Sequence, residues 1–155
     1  MSVTRTARAA AGASLLFGAV HVAWAMSYYV WPAFGRLTLG RSFDSAFAQP
    51  AFMRFDLIVA LLFVLAGAFA VAVVQPWGAR VPRWLLVTGL WTAAAALGLR
   101  GAAGIVQDLL VLTGVLPGTL TRWVVYDFWF LICGILFGAL AWQTKSPARQ
   151  LANSP

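Results

Sequence analysis

The chain has 155 residues, about the length of one domain. Hydrophobic residues make up 62% of it and charged residues only 10%, whereas a soluble domain has about 45–50% and about 25%. So little polar surface excludes a soluble globule, a disordered chain and a nucleic-acid-binding protein. The composition predicts that the main partner of the chain is the lipid bilayer.

Four stretches are apolar over the length of about 20 residues that a helix needs to cross the bilayer. They are residues 8–28, 55–75, 83–104 and 123–142, to within a few residues. The sequence therefore predicts an all-α fold class. We expect a polytopic membrane protein in which residues 1–155 form a single four-transmembrane-helix bundle.

The three gaps between these stretches differ in character. Residues 29–54 combine turn residues with aromatic residues, so we expect an aromatic outer loop that lies on the membrane surface between helices 1 and 2. Its aromatic residues are Trp31, Phe34, Phe43, Phe47 and Phe52. Residues 75–82 predict a tight polar turn that makes helices 2 and 3 antiparallel neighbours. Residues 105–122 are too short to span the membrane and predict a short interfacial helix followed by a turn.

The charged residues predict the orientation of the chain. With four spans, the N-terminus, the second gap and the C-terminus lie on one side, which carries six basic residues and no acid. These six are Arg5, Arg8, Arg80, Arg83, Lys145 and Arg149. The other side carries five arginines and all four aspartates, a sum of +1, which together with the six accounts for the net charge of +7. By the positive-inside rule, we expect a multi-pass protein of the plasma (inner) membrane with both termini cytoplasmic.

The start of the chain resembles a signal peptide. Arg5 and Arg8 precede an apolar stretch, and Ala23-Trp24-Ala25 imitates a cleavage site. The apolar stretch is long for such a peptide and Trp24 is bulky for a cleavage site. We therefore expect an uncleaved first helix.

Four ionisable side chains fall inside the predicted spans, where each costs about 2.5–3.5 kcal/mol at mid-helix. They are His21, Asp56, Arg100 and Asp127. At a rise of about 1.5 Å per residue, all four lie in the outer third of the bundle.

Helical spacing predicts which way three of these side chains point. His21 falls on a stripe with Ser14, Gly18, Ala25 and Tyr28, and small residues of this kind suit contacts between helices. Similar stripes are Asp127, Leu131, Gly134, Gly138 and Ala141 on the fourth helix, and Ala93, Ala96, Arg100 and Gly104 on the third. We therefore expect His21, Arg100 and Asp127 to point into the bundle.

Other residues are assigned to packing or to the surface. Cys133 is expected to be a small core residue and Leu140 to lie on a different face from Asp127. Asp108 and Arg122 are expected to form a solvated outer pair.

The candidate ligand-binding residues are His21, Arg100, Tyr126 and Asp127. Two interpretations stay open at this point: a polar cluster that holds the helices in register, or a site for a ligand, proton or substrate. With one cysteine and one histidine the chain offers neither an intrachain disulfide nor a Cys/His zinc site, and the residues identify no cofactor.

Three functions fit these residues. The first is an outward-facing pocket for a small or lipophilic ligand. The second is an accessory subunit that packs its small-residue faces against a larger membrane complex or a second copy. The third is an enzyme acting on a lipid or quinone, with His21 and Asp127 as acid and base, and a single histidine without a metal site disfavours it.

Three short stretches together resemble the bacterial membrane proteins of the domain-of-unknown-function 3995 family. They are His21-Val22-Ala23-Trp24-Ala25, then Leu99-Arg100-Gly101-Ala102-Ala103-Gly104 leading to Asp108, and Arg122-Trp123 through Tyr126-Asp127-Phe128-Trp129-Phe130 to Gly134. This resemblance extends over nearly the whole chain. It implies four helices and the plasma membrane, and it implies no activity.

Overall fold

The computed structural model describes residues 2–27, 30–39, 50–117 and 123–145. These residues contain helices and no strand. The helices are α1 (Val3–Ser27), α2 (Pro32–Leu39), α3 (Pro50–Ala72), a 3-10 helix (Pro76–Arg80), α4 (Arg83–Leu112) and α5 (Trp123–Lys145). Within the described residues, α1, α3, α4 and α5 are long and apolar enough to cross a membrane. The predicted fold class, an all-α polytopic membrane protein, is confirmed.

Proline marks where several of these helices begin. Pro32, Pro50 and Pro76 each stand at the first helical position, and Pro82 directly precedes α4. A helix start suits proline because its φ angle is already helical and its missing N–H would have no intrahelical acceptor there. The same prolines that signal turns in the sequence therefore fix where the helices begin.

The third span is longer than the sequence predicts. α4 has 30 residues, about 45 Å at 1.5 Å per residue, and residues 105–112 continue it. The predicted separate interfacial helix is therefore wrong. Gly101 and Gly104 do not break α4 because both are buried against α5, and this packing compensates for the low helix propensity of glycine. α4 ends before Gly114, whose φ of 75° lets two N–H groups bond back to carbonyls of the last turn.

The second gap is the tight turn that the sequence predicts. The 3-10 helix fills most of it, and Gly78 within this helix is buried. A Cβ atom at Gly78 would overlap the carbonyl oxygen of Ala72, so the close return of the chain to the end of α3 requires glycine. Beyond the turn, a Cβ at Gly89 would lie 3.2 Å from the ring of Phe69, so the end of α3 and the start of α4 are neighbours.

The first gap contains a helix that the sequence did not predict. α2 begins at Pro32, and the rings of Trp31 and Phe34 stack with centroids 5.1 Å apart. Trp24 of α1 donates a hydrogen bond from Nε1 to Oγ1 of Thr38 at 3.0 Å, which ties α2 to α1. Phe43 and Phe47 of the predicted aromatic loop lie outside the described residues.

Contacts divide the chain into two compact units. The first unit is Gly12–Gly67, and the second unit is Met1–Ala11 together with Ala68–Pro155. α1 and α3 each contribute to both units, whereas α4 and α5 belong to the second. Each unit is described by itself below.

In the first unit, α1 and α3 run antiparallel. Ser14 donates a hydrogen bond to the carbonyl oxygen of Phe63 at 2.7 Å, and His21, further along α1, contacts Asp56, further back along α3. Between these contacts a Cβ at Gly18 would lie 3.3 Å from the Cβ of Phe63. The absence of a side chain at Gly18 therefore allows the two helices to approach closely.

In the second unit, α4 and α5 form an antiparallel pair in which glycines stand at the contact. A Cβ at Gly134 would lie 2.5 Å from the backbone nitrogen of Gly98, so two glycines face each other there. A Cβ at Gly101 would overlap the backbone nitrogen of Leu131 and lie 2.8 Å from the carbonyl oxygen of Asp127. Backbone therefore packs directly on backbone along this helix pair.

The predicted stripes on α1 and α5 are confirmed. Ser14, Gly18, His21 and Ala25 are buried, and Tyr28 lies outside the described residues. On α5, Asp127, Gly134 and Ala141 are buried, and Leu131 and Gly138 are half-buried. Cys133 is buried as predicted.

The predicted stripe on α4 is wrong. On α4 the buried row is Leu90, Ala94, Gly101 and Gly104, whereas Ala96 of the predicted stripe is exposed. On α5 Leu140, which was predicted on a different face from Asp127, is also fully buried. Four consecutive alanines on α4 look alike in the sequence, and α5 has apolar residues on every side. The helix neighbours therefore decide which face is packed.

Candidate functional site

Arg100 of α4 and Asp127 of α5 form an ion pair in the second unit. Nη1 of Arg100 donates to Oδ1 of Asp127 at 2.5 Å. The Asp127 side chain is 5% exposed and the Arg100 side chain 50%. The predicted contact between the two residues is therefore present, but Arg100 lies at the edge of the helix contact and does not point fully inward.

The carboxylate of Asp127 occupies the space that Gly104 leaves open, because a Cβ at Gly104 would overlap it. Arg100 lies one turn before Gly104 on α4, and Asp108 lies one turn after it. Asp108 is half-buried, and its Oδ2 atom is buried without a hydrogen-bond partner among the described residues. Its predicted pairing with Arg122 stays a prediction, because Arg122 lies outside the described residues.

Phe130 of α5 stands beside this ion pair. The guanidinium carbon of Arg100 lies 5.2 Å from the ring centroid of Phe130, a cation–π distance. Tyr126 is half-buried and precedes Asp127, which puts it about 100° around α5 from the carboxylate. Aromatic and electrostatic contacts thus both hold the Arg100 side chain.

His21 of α1 and Asp56 of α3 form the corresponding pair in the first unit. Nδ1 of His21 lies 2.8 Å from Oδ1 of Asp56. The His21 side chain is 7% exposed and the Asp56 side chain 1%. Unlike Arg100–Asp127, this pair has both members buried.

Aromatic rings surround the imidazole of His21. Phe17 and Trp24 meet it edge-on, with ring centroids 5.0 and 4.9 Å away, and Phe63 stacks on it at 5.9 Å. The medium around the pair is therefore largely apolar. In such a medium a polar atom without a hydrogen bond is costly.

Two polar atoms of the His21–Asp56 pair carry that cost. His21 Nε2 and Asp56 Oδ2 are buried and have no hydrogen-bond partner within the part of the chain that the structure describes. Nδ1 of His21 faces the carboxylate, so in the neutral tautomer that donates its ring proton to Oδ1 of Asp56 the Nε2 atom presents a lone pair. An unsatisfied buried acceptor costs about 1–3 kcal/mol, which a hydrogen-bond donor at Nε2 would recover.

Asp56 was not among the site residues predicted from the sequence. The depth argument placed it in the outer third with His21, but no stripe was assigned to its helix. One signal was available in the sequence. Asp56 is the only acid in α3, and it stands 35 positions after His21 of α1. An isolated acid in an apolar span needs a partner, and His21 lies at a matching depth.

The structure places the four predicted site residues in two units. Arg100, Tyr126 and Asp127 belong to the second unit, and His21 belongs to the first. His21 and Asp127, the acid and base of the enzyme hypothesis, each contact a different partner. A single pocket lined by all four residues stays a prediction.

Comparison with known proteins identifies a family. Neither the curated proteins nor the solved structures give a significant match. Residues 14–137 match the family described as "Protein of unknown function (DUF3995)". This range includes both ion pairs and extends over far more than half of the chain. The chain therefore belongs to the DUF3995 family.

Proposed function

We propose that this membrane protein binds a small lipophilic ligand at the His21–Asp56 pair. The observation that carries the proposal is His21 Nε2, a buried ring nitrogen that has no hydrogen-bond partner among the described residues. The ligand supplies a hydrogen-bond donor, such as a hydroxyl group, to this nitrogen. Binding then removes an energetic cost that the empty protein bears.

Asp56 gives His21 a defined orientation for this role. A carboxylate on Nδ1 selects the ring tautomer and raises the basicity of Nε2, as it does for histidines that bind metals or act as bases. The 2.8 Å contact and the burial of both side chains hold the imidazole rigidly. A rigid acceptor loses little entropy on binding, which increases affinity.

The side chains around His21 determine which kind of molecule can bind there. Phe17, Trp24 and Phe63 offer ring faces and edges to an apolar molecule, and sites for small molecules combine such walls with few polar groups. A ligand of this kind partitions into the bilayer and can reach a membrane helix from the lipid. The proposal therefore specifies an apolar molecule with one donor group.

The Arg100–Asp127 pair has a different part in this proposal. Its carboxylate is already satisfied and fits the space over Gly104, which supports a role in joining α4 and α5. The guanidinium of Arg100 is half exposed and has five N–H donors in all, so it can also take an anionic group. Arg100, Tyr126 and Asp127 thus stay candidate ligand residues of the second unit.

We also propose that the protein resides in the plasma membrane with both termini in the cytoplasm. The charge difference between the two sides, +6 against +1, supports this orientation.

The test is to ask whether a small molecule copurifies with the protein. The wild type and the paired variant His21→Phe/Asp56→Leu are purified in mild detergent, and bound molecules are extracted and identified by mass spectrometry. The paired variant keeps an apolar, aromatic interior and leaves no buried charge alone, so we expect it to fold. We expect near-stoichiometric ligand in the wild type and a loss of at least about tenfold in the variant.

Ser14→Ala is the matched control. It also removes a buried hydrogen bond from the same face of α1, two turns from His21, and should keep the ligand. Equal ligand in the wild type and the folded paired variant would contradict the proposal. A wild type that carries a stoichiometric partner protein and no small molecule would favour the accessory-subunit function.

A further inference from the structure

A surface groove lies in the second unit between the start of α1 and the end of α3. It has a cavity volume of about 90 Å³. Its lining residues are Thr4, Ala7, Arg8, Val71, Val74 and Gln75. None of them belongs to either ion pair, so the groove is independent of the proposed ligand site.

The groove lining combines a cation, neutral polar groups and an apolar wall. Arg8 is exposed and makes no ion pair or side-chain hydrogen bond with the described residues. Thr4 adds a hydroxyl group and Gln75 an amide, both of which can donate hydrogen bonds. Ala7, Val71 and Val74 supply the apolar part. This combination suits an amphiphile with an anionic head.

The groove also lies at the level where lipid headgroups are found. The apolar span of α3 ends at Ala72, and Val74 and Gln75 of the groove lining follow within the next three residues. Polar and basic residues beyond the end of a span occupy the interface between hydrocarbon and water.

The surroundings of the groove are positively charged. The same ends of the helices in the second unit carry further basic residues, Arg5, Arg80, Arg83 and Lys145. All four acids of the chain lie elsewhere in the sequence, at positions 44, 56, 108 and 127. A positive potential at the membrane surface attracts anionic lipids, and a guanidinium binds phosphate with two parallel hydrogen bonds.

We propose that this groove binds the headgroup phosphate of an anionic phospholipid. Arg8 contacts the phosphate, Thr4 and Gln75 donate hydrogen bonds to headgroup oxygens, and an acyl chain follows Ala7, Val71 and Val74. The apolar wall favours a lipid over free phosphate, because inorganic phosphate gains nothing from apolar contacts.

The test counts lipids bound to the delipidated protein in a neutral detergent by native mass spectrometry. Phosphatidylglycerol and phosphatidylcholine are added at equal concentration, so that only the headgroup charge differs. We expect the wild type to retain one phosphatidylglycerol with a preference of about fivefold or more. Arg8→Gln should remove this preference. Val74→Trp, which fills the groove and keeps every charge, should do the same.

Arg80→Gln is the matched control, because it removes the same charge from an exposed residue near the same end of α3 but outside the groove lining. It should retain the preference for phosphatidylglycerol. An equal loss in Arg80→Gln, or an unchanged preference in Val74→Trp, would show that attraction is diffuse and overturn the proposal. Displacement of the bound lipid by millimolar inorganic phosphate would identify free phosphate as the ligand and overturn it as well.

Discussion

The two polar pairs differ in how their members are buried, and this difference supports different roles for them. In His21–Asp56 both side chains are enclosed and each retains an unsatisfied atom. In Arg100–Asp127 only the carboxylate is enclosed, and the guanidinium is half exposed. The unsatisfied atoms of His21–Asp56 are the basis of the proposed ligand site, whereas the satisfied carboxylate of Asp127 supports a contact that joins helices.

The burial asymmetry of Arg100–Asp127 predicts unequal effects of single substitutions. Arg100→Ala leaves the enclosed carboxylate without its cation, close to a second carboxylate at Asp108, and should lower the free energy of unfolding by about 1–3 kcal/mol. Asp127→Asn keeps an amide oxygen that can accept the hydrogen bond of the half-exposed Arg100, so it should cost less. The free energies are measured by unfolding in mixed detergent micelles.

The double variant Arg100→Ala/Asp127→Asn completes the cycle. It leaves no unpaired charge at position 127, so its cost should fall below the sum of the single costs. Additive effects, or a larger effect of Asp127→Asn than of Arg100→Ala, would contradict the view that the buried carboxylate dominates the pair.

At the scale of residues, the sequence predicted three of the four side chains that form the two pairs. It predicted one of the two pairings, Arg100 with Asp127. Asp127 lies on a row of small residues that indicates its face, and Arg100 could be matched to it because the two residues have opposite charges at similar depths. Asp56 lies in a helix that is apolar on every side, so no stripe indicated where it points. Its partner depends on which helices are adjacent, and a single sequence does not contain that information.

At the scale of elements, glycines determine how closely α4 and α5 approach. Gly98, Gly101 and Gly104 are spaced at steps of three along α4, and the backbone or carboxylate of α5 lies against them. Without side chains, van der Waals contacts extend along both backbones, and such contacts drive helix association in membranes. The same close approach brings Asp127 within reach of Arg100.

Gly134 and Gly138 provide a matched pair for testing this contact. A Cβ at Gly134 would lie 2.5 and 2.6 Å from backbone atoms of Gly98, whereas one at Gly138 would lie 3.7 Å from the Cβ of Ala94, an ordinary contact. Gly134→Ala should therefore destabilise the protein by about 1–3 kcal/mol. Gly138→Ala should be close to neutral. Melting temperatures of the two variants in detergent measure the difference.

Ile135→Ala serves as the surface control for these variants, because Ile135 is 63% exposed on the same helix. Leu140 is unsuitable as a surface control, since it is fully buried. Equal melting temperatures for Gly134→Ala and Gly138→Ala would remove the basis for this description of the α4–α5 contact.

The elements were predicted well where hydrophobicity and proline define them, and less well where packing does. All four long helices appear, and the turn at residues 75–82 is a 3-10 helix around a buried glycine. The third span was predicted to end at residue 104, since about 20 apolar residues suffice to cross the bilayer. In the structure Gly101 and Gly104 face α5, and the helix continues to Leu112.

At the scale of the whole molecule, charge and tryptophan indicate where the membrane surfaces lie. Trp77, Trp84 and Trp142 are 47%, 70% and 61% exposed and stand near the ends of the spans in the second unit. Tryptophan is enriched at both interfaces because its ring is apolar and its N–H polar. These tryptophans stand near the basic residues at the same helix ends. Their common position supports the view that one membrane surface lies at these ends.

The proposed orientation of the whole chain rests on the charge difference of +6 against +1, because lysines and arginines close to a span are retained in the cytoplasm during insertion. Reporter fusions after Arg80 and after Lys145 should both report the cytoplasm, and a fusion near Asp44 should report the outside. Alkaline phosphatase and green fluorescent protein are active on opposite sides, so each position is measured twice with opposite expected signals. If the fusion near Asp44 fluoresces and the fusion after Lys145 has phosphatase activity, the orientation is inverted. In that case the basic groove at Arg8 would face the outer leaflet.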